Sequence, residues 1–276
     1  MRSRVAVLVL VATAALLMAA APVGAITFGK PDGNRHPYVG ALLADYDPES
    51  PGLDLLCSGT LIAPRVFQTA GHCTDFLTAV GIPADEVWVT FDPAYDEDAS
   101  TNTVFRGTYT THPDFGFSGP GGISNPFDIA AVVLGTTPGI APARLPRVGL
   151  LDELRRSGEI VTSTFTAVGY GRVREDKRTG PHALFFDGIR RFALQSYLTL
   201  QSAWLTLSMQ PSTGDGGTCF GDSGGPHFLG GKTSNLIVSL TVTGDAMCRA
   251  TDKTYRLDTP WAKAFLEGFP GVAYPR

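Results

Sequence analysis

Three short segments carry residues that together could break an acyl bond. The first is Cys219-Phe220-Gly221-Asp222-Ser223-Gly224-Gly225-Pro226. Glycines beside a serine leave its hydroxyl open to a substrate carbonyl, and they let consecutive N–H groups converge on one point where an oxyanion is stabilised. Taken alone, the segment reads equally well as a Gly-rich turn. The second is Thr69-Ala70-Gly71-His72-Cys73, and the third is Phe127-Asp128-Ile129-Ala130, which runs into Ala131-Val132-Val133-Leu134. A histidine beside a cysteine is often only packed, and an aspartate before a strand is often a turn former. Jointly they supply what acyl transfer needs. A serine requires a base to take its proton, and the base requires a partner that fixes its tautomer and stabilises its cation.

Short strands would have to hold these residues. Alternating or β-branched runs recur at 55–62, 86–91, 103–111, 129–134, 160–168, 191–200, 203–209 and 236–243. In Val87-Trp88-Val89-Thr90-Phe91 the residues Val87, Val89 and Phe91 share one face of a strand. Clusters of Gly, Pro, Asn and Asp separate the runs. The pattern predicts an all-β antiparallel sandwich or barrels. Two stretches read as helical: a short one at 152–156 and a better one at 260–268, where Thr259 fits an N-cap and Pro260 the first helical position. Trp261 and Phe265, four apart, would dock that helix on the body.

The chain has 276 residues, of which 43% are hydrophobic and only 17% charged, with 32 Gly and 20 Pro. This composition favours a loop-rich globular β protein over a helical bundle or a disordered chain. The net charge is −4 and no basic block appears, so a nucleic-acid surface has no electrostatic basis. Residues 1–25 read as a secretion signal: Arg2 and Arg4, an apolar run from Val5 to Leu17, then Val23-Gly24-Ala25 as a cleavage site. Losing Arg2 and Arg4 would take the charge from −4 to −6. Pro22 and Gly24 and a short apolar core argue against an uncleaved anchor, so no membrane association is expected after cleavage. Four cysteines, Cys57, Cys73, Cys219 and Cys248, permit three disulfide pairings in an exported protein, and no C-x-x-C or paired-histidine spacing suggests a metal. Asp92, Asp96, Glu97 and Asp98 crowd one loop and could bind calcium, although carboxylates in a solvated loop are common and no EF-hand pattern is present.

The segments 69–73, 128–130 and 221–226 occur in the order and at the separations of the chymotrypsin/trypsin family, with 56 residues from His72 to Asp128 and 95 from Asp128 to Ser223. The chain resembles that family over nearly its whole length after residue 25. The resemblance implies two six-stranded antiparallel β-barrels packed together, with a C-terminal helix. The expected divisions are 26–145 for the first barrel, 146–259 for the second and 260–276 for the helix and tail. It implies a secreted serine endopeptidase working through an acyl-enzyme on protein or peptide substrates, monomeric and without a cofactor. His72 would be the general base, Asp128 its orienting acid and Ser223 the nucleophile, with the N–H groups of Gly221 and Ser223 as the oxyanion hole. Cys57 would pair with Cys73, and Cys219 with Cys248.

The resemblance also implies an activation pair. Family members insert a free N-terminal Ile or Val beside the aspartate that precedes the nucleophile. Here the signal cut would leave Ile26-Thr27-Phe28-Gly29, with Asp222 as the acid and Thr27 and Phe28 as departures from the family's start. Gly217 would lie at the substrate-pocket floor, where an aspartate would select Arg or Lys, so that specificity is not expected. Phe220 would sit at the pocket mouth, with Ser239 and Leu240 on the substrate-binding strand. Lys253 would lie on a pocket wall or, more simply, be a solvated surface lysine. Two rival readings fit the residues less well. An α/β-hydrolase would need a histidine well after Ser223, and only His227 follows it. A non-catalytic homologue that binds partners would ordinarily have lost one of the three residues. His36, His112, His182 and His227 receive no catalytic role.

Overall fold

The computed structural model describes residues 26–49, 52–96, 101–116, 126–174 and 184–276. The expected signal at 1–25, together with Glu97, Asp98 and His182, lies outside the described residues. In chain order the elements are β1 (Lys30–Pro31), β2 (Val39–Ala44), β3 (Asp54–Ala63), β4 (Val66–Thr69), α1 (Gly71–Ala79), β5 (Val87–Thr90), β6 (Val104–Thr111) and β7 (Ala130–Leu134). They continue with α2 (Leu150–Ser157), β8 (Thr164–Gly169), β9 (Val173–Arg174), β10 (Leu184–Phe185), β11 (Arg191–Leu200), β12 (Trp204–Ser208), β13 (Pro226–Leu229), β14 (Ile237–Gly244), β15 (Thr251–Arg256) and α3 (Pro260–Leu266).

Strands β2-β3-β4-β7-β6-β5 close into one barrel, with β5 pairing back onto β2. A second ring, β11-β12-β15-β14-β13-β8, closes when β8 pairs with β11. Every pairing within the two rings is antiparallel, and closure removes the exposed strand edges an open sheet would carry. Burial explains which strands were legible. In β6, Gly107 and Tyr109 are buried while Arg106, Thr108 and Thr110 are exposed, the period-2 signal of a half-buried strand. All six residues of β2 are buried, so its sequence, Val-Gly-Ala-Leu-Leu-Ala, has nothing to alternate.

Thr259 caps α3 by accepting from the Ala262 N–H, and Pro260 follows it, as expected. Phe265 packs on His112 and Phe269, and Trp261 and Phe265 both rest on the core. One expected boundary is corrected. Residues 26–31 do not join the first barrel: Thr27 bridges to Gly217 and β1 pairs with β11, so the segment runs along the second barrel. The physical reason is that β2 is already flanked by β3 and β5, whereas β11 offers a free edge beyond its pairing with β8.

The barrels are joined by a buried cation. Arg190 donates through Nη1 to the carbonyls of Val39 and Phe91 in the first barrel, both at 2.9 Å, and to Tyr170 Oη in the second at 3.2 Å. Its Nη2 reaches Gly33 O and its Nε reaches Asp32 Oδ2. Asp32 also accepts from the backbone N–H and Nδ1 of His36. Burial works against the Asp32 charge, but His36 and Arg190 outweigh it and hold the carboxyl below its ordinary range. Removing one partner of a fully buried pair strands the other charge. Arg190→Leu is therefore expected to lower the unfolding free energy by about 3–5 kcal/mol, measured by urea denaturation. A loss below about 1 kcal/mol would show that the clamp is dispensable.

Candidate active site

The helix α1 begins one residue before His72 and has no side-chain cap of its own, because Ala70 stands at the N-cap. Asp128, in the segment just before β7, serves that end. Its Oδ1 accepts the His72 backbone N–H at 2.9 Å, and its Oδ2 meets His72 Nδ1 at 2.9 Å. One carboxylate thus satisfies an orphan donor of the helix start, adds favourable negative charge there and holds the imidazole. An ionised carboxylate can only accept, so the Nδ1–H belongs to His72 and Nε2 is left as the basic nitrogen. Asp128 is nearly buried, whereas the His72 side chain is about one-third exposed. Gly71 lets them meet, since a Cβ there would lie 2.9 Å from the Phe115 ring and 3.0 Å from Ile129 N.

Ser223 comes from the loop before β13. Its carbonyl accepts from the Ser58 N–H at 2.9 Å, and the Ser58 hydroxyl donates to Gly221 O at 3.0 Å while accepting from Tyr170 N. The Phe220 carbonyl accepts from Arg172 N at 2.7 Å. With its carbonyl committed to Arg172, the Phe220–Gly221 peptide turns the Gly221 N–H the opposite way. Among the described residues neither Gly221 N–H nor Ser223 N–H donates to a protein acceptor, and the Ser223 hydroxyl makes no hydrogen bond. Gly224 lies against the strand leading to His72. A Cβ there would come within 2.3 Å of Thr69 Oγ1 and 2.6 Å of Ala70 N. The residue after Ser223 thus packs on the segment that ends two residues before His72, at the seam between the barrels.

Asp222 is wholly buried. Its oxygens accept from Gly171 N and Cys219 N, each at 2.8 Å. Burial pushes its pKa up to about 7 against these two donors, with the charge of Asp252 adding to the rise. Ile26 is buried against Ala167 and Ala193. Asp222 lies against Gly169, two residues along the same face of β8 from Ala167. The Thr27 N–H and the Gly217 N–H exchange bonds with each other's carbonyls at 2.8 and 3.0 Å. Cys57–Cys73 and Cys219–Cys248 are both bonded.

A cavity of about 310 Å³ adjoins Ser223, lined by Thr218, Phe220, Val242, Thr243, Gly244 and Asp245 among others. Phe220 is one of its lining residues, and 59% of its surface is exposed. Four other expected pocket residues do not line this cavity. Gly217 is buried, packed against the Met209 side chain and Gln195. Ser239 is buried and accepts from Thr254 Oγ1, and Leu240 is buried opposite Pro226 and Tyr255. Lys253 places its ammonium over the Trp204 ring, 4.2 Å from the centroid. The register of β14 explains the error. Because Pro226 pairs with Leu240, the strand reaches the cavity only at Val242–Gly244. Ser58 was also missed; its hydroxyl gives no distinguishing signal, because β3 also holds the buried Thr60.

The only His/Cys cluster of ligand geometry among the described residues is Cys57, His72 and Cys73. It is already spent, with the sulfurs bonded to each other and Nδ1 to Asp128. In the acidic loop, Asp92 Oδ2 accepts from Thr103 N, and the backbone of Asp96 exchanges bonds with the Asn102 side chain. His227 is buried between Gln195 and Thr241, near Asp252, and burial lowers its pKa. No helix among the described residues is long and apolar enough to cross a membrane.

The fold resembles a solved structure described as HL collagenase, at TM-score 0.61 and 18% identity, covering 89% of this chain and 98% of that one. A sequence profile of the family described as Trypsin matches residues 28–262, which include His72, Asp128 and Ser223, and the chain therefore belongs to the trypsin family of serine proteases.

Proposed function

We propose that this chain is a secreted serine endopeptidase that hydrolyses peptide bonds through an acyl-enzyme, with His72, Asp128 and Ser223 as its triad. The observation that carries the reading is an imidazole whose Nδ1 is held by a buried carboxylate, on a segment against which the serine's loop packs through Gly224, with the Gly221 and Ser223 N–H groups free of protein acceptors among the described residues. His72 Nε2 takes the Ser223 proton as Oγ attacks the carbonyl carbon. The carbonyl oxygen becomes an oxyanion and collects the N–H groups of Gly221 and Ser223. His72 then hands its proton to the leaving amine, which departs as the C–N bond breaks. Water, deprotonated by His72, repeats the attack on the acyl-enzyme and releases the acid and the free serine. Asp128 stays ionised and stabilises the imidazolium.

Activation follows from the electrostatics of Asp222. Two backbone N–H bonds do not offset the burial of this carboxylate. Cleavage before Ile26 would free an ammonium beside it and restore the charged form, with the Thr27–Gly217 bonds holding the new terminus. Signal cleavage alone would then yield the active enzyme. On the acyl side of the bond, the cavity beside Ser223 contains one carboxylate, Asp245, which the N–H groups of Arg249, Ala250 and Thr251 already occupy. That lining favours an uncharged side chain over arginine or lysine.

Ser223→Ala is expected to abolish fluorophosphonate labelling of the mature form and to lower peptide hydrolysis by at least about 10⁴-fold. Absence of labelling in the unmutated mature form would mark the chain as a binding protein. A panel of peptides differing at the cleaved residue is expected to show uncharged residues cleaved at least about tenfold faster than Arg or Lys. The secreted protein is expected to begin at Ile26 on N-terminal sequencing. A form extended before Ile26 carries the raised Asp222 pKa without a cation. Its folded state binds the extra proton below about pH 7, so its stability falls as pH rises from near 4 to 7. Between pH 5 and 7 the loss is expected to be about 2–3 kcal/mol, and the form starting at Ile26 should lack it. Equal pH profiles for the two forms would overturn the pairing.

A further inference from the structure

The segment that follows Ile26 borders a cavity that the proposed chemistry does not use. It measures about 450 Å³ and lies where residues 28–31 meet β11 and the loop between β12 and β13. Three cations line it: Lys30 on β1, Arg35 just after β1, and Lys232 in the turn between β13 and β14. All three are exposed, and none forms an ion pair among the described residues. No carboxylate among the described residues lines the cavity. Two acids adjoin lining residues in sequence, and both are engaged. Asp32 is held by His36 and Arg190, and Asp215 accepts from the Ser196 and Thr213 hydroxyls. Phe28, Pro31, Phe192 and Leu194 make the rest of the wall apolar, and Leu194 is 39% exposed. The register places Lys30 directly across from Phe192. Arg35 is fixed at one edge. Its Nη1 donates to Pro31 O and Asp32 O at 3.1 and 2.7 Å, and its guanidinium carbon stands 5.2 Å from the centre of the Phe192 ring. Its Nε and Nη2 make no hydrogen bond among the described residues. A guanidinium fixed over a ring with donors to spare is preorganised for an anion whose body is apolar.

We infer that this cavity is a regulatory binding site for a small amphipathic carboxylate, an anionic head on an apolar body. The head takes the spare donors of Arg35, with the ammonium groups of Lys30 and Lys232 adding charge. The body covers Phe28, Pro31, Phe192 and Leu194. The position of the cavity gives binding a consequence. Gly216 belongs to the lining and forms the joint with the segment after Ile26. A Cβ there would lie 2.5 Å from Thr27 O and 3.2 Å from Phe28 C, and its N–H donates to Leu194 O at 3.1 Å. Ala193, also in the lining, packs with Ile26. A ligand here touches the segment after Ile26, the strand β11 and the loop leading to Gly217 at once. Its full set of contacts exists only when these three are docked together, so it draws the equilibrium toward the docked state. At a concentration 100 times its Kd that shift is about 100-fold. The effect on activity rests on the proposed pairing of Ile26 with Asp222, whereas the binding site does not.

Titration calorimetry on the mature protein tests the site, with octanoate and N-acetyl-phenylalanine as probes. The first stands for a fatty acid and the second for the cut end of a peptide; the tighter of the two names the source. Removing the charge (octanol, N-acetyl-phenylalanine amide) or the body (acetate) is expected to weaken binding at least about tenfold. Arg35→Gln should weaken it at least about tenfold, and the double variant Lys30→Gln/Lys232→Gln severalfold. The two lysines have no partner to lose among the described residues, so the double variant separates charge from folding. In hydrogen exchange, a saturating probe is expected to slow the Thr27 and Gly217 amides at least about tenfold, and the double variant should blunt that effect. No saturable heat with either acid, equal affinity for each acid and its uncharged counterpart, or binding untouched by all three substitutions would overturn the site. Binding that leaves exchange at Thr27 and Gly217 unchanged would overturn its regulatory role. Failure of the protease reading looks different: no fluorophosphonate labelling, with probe binding intact.

Discussion

The site depends on how closely one loop of the second barrel can press against two strands of the first. Ser58 is the contact. Its N–H fixes the Ser223 carbonyl and its hydroxyl fixes the Gly221 carbonyl, so both peptide units of the reactive loop are oriented by a residue of the opposite barrel. Gly224 sets the distance, because nothing larger than hydrogen fits between its Cα and Thr69–Ala70. Gln68 closes the same seam by donating to Gly224 O. In the proposed mechanism, orientation and proximity of this kind would make His72 and Ser223 a reacting pair, since the entropy of bringing them together is lost on folding and not during each turnover.

Two buried acids serve the loop in opposite electrostatic conditions. Asp128 lies at a helix start and receives both a backbone N–H and an imidazole N–H, so its charge is matched where it stands. Asp222 receives two N–H groups and no cation among the described residues, and its ordinary ionisation is suppressed. The same residue type is thus a charge-matched support in one place and, in the other, a carboxyl whose charge burial opposes.

Much of this was legible from residue order alone. The strands with one wet face declared themselves by alternation, and Thr259-Pro260 marked α3. The helix α1 did not, because the group that caps it, Asp128, is 56 residues away and Ala70 gives no local signal. The strand β2 escaped because both of its faces are covered. The substrate-side residues were misplaced for a related reason. A strand repeats every two residues, so counting along β14 identifies a face only when the pairing is known, and Pro226 opposite Leu240 is a long-range fact. Arg190 was invisible as a clamp, since an arginine in the pair Arg190-Arg191 at the start of a strand ordinarily reads as a surface residue.

Arg190 also bears on how the chain comes to be made. The carbonyls of Val39 and Phe91 belong to strands completed early in synthesis, yet the guanidinium that satisfies them is encoded about a hundred residues later than Phe91. Until that residue emerges and is threaded into place, the first barrel carries acceptors and an apolar flank that only water or another nascent chain can cover. The halves of this molecule are thus unsuited to being produced apart, and the interval before Arg190 arrives is when the newborn protein is most exposed to self-association.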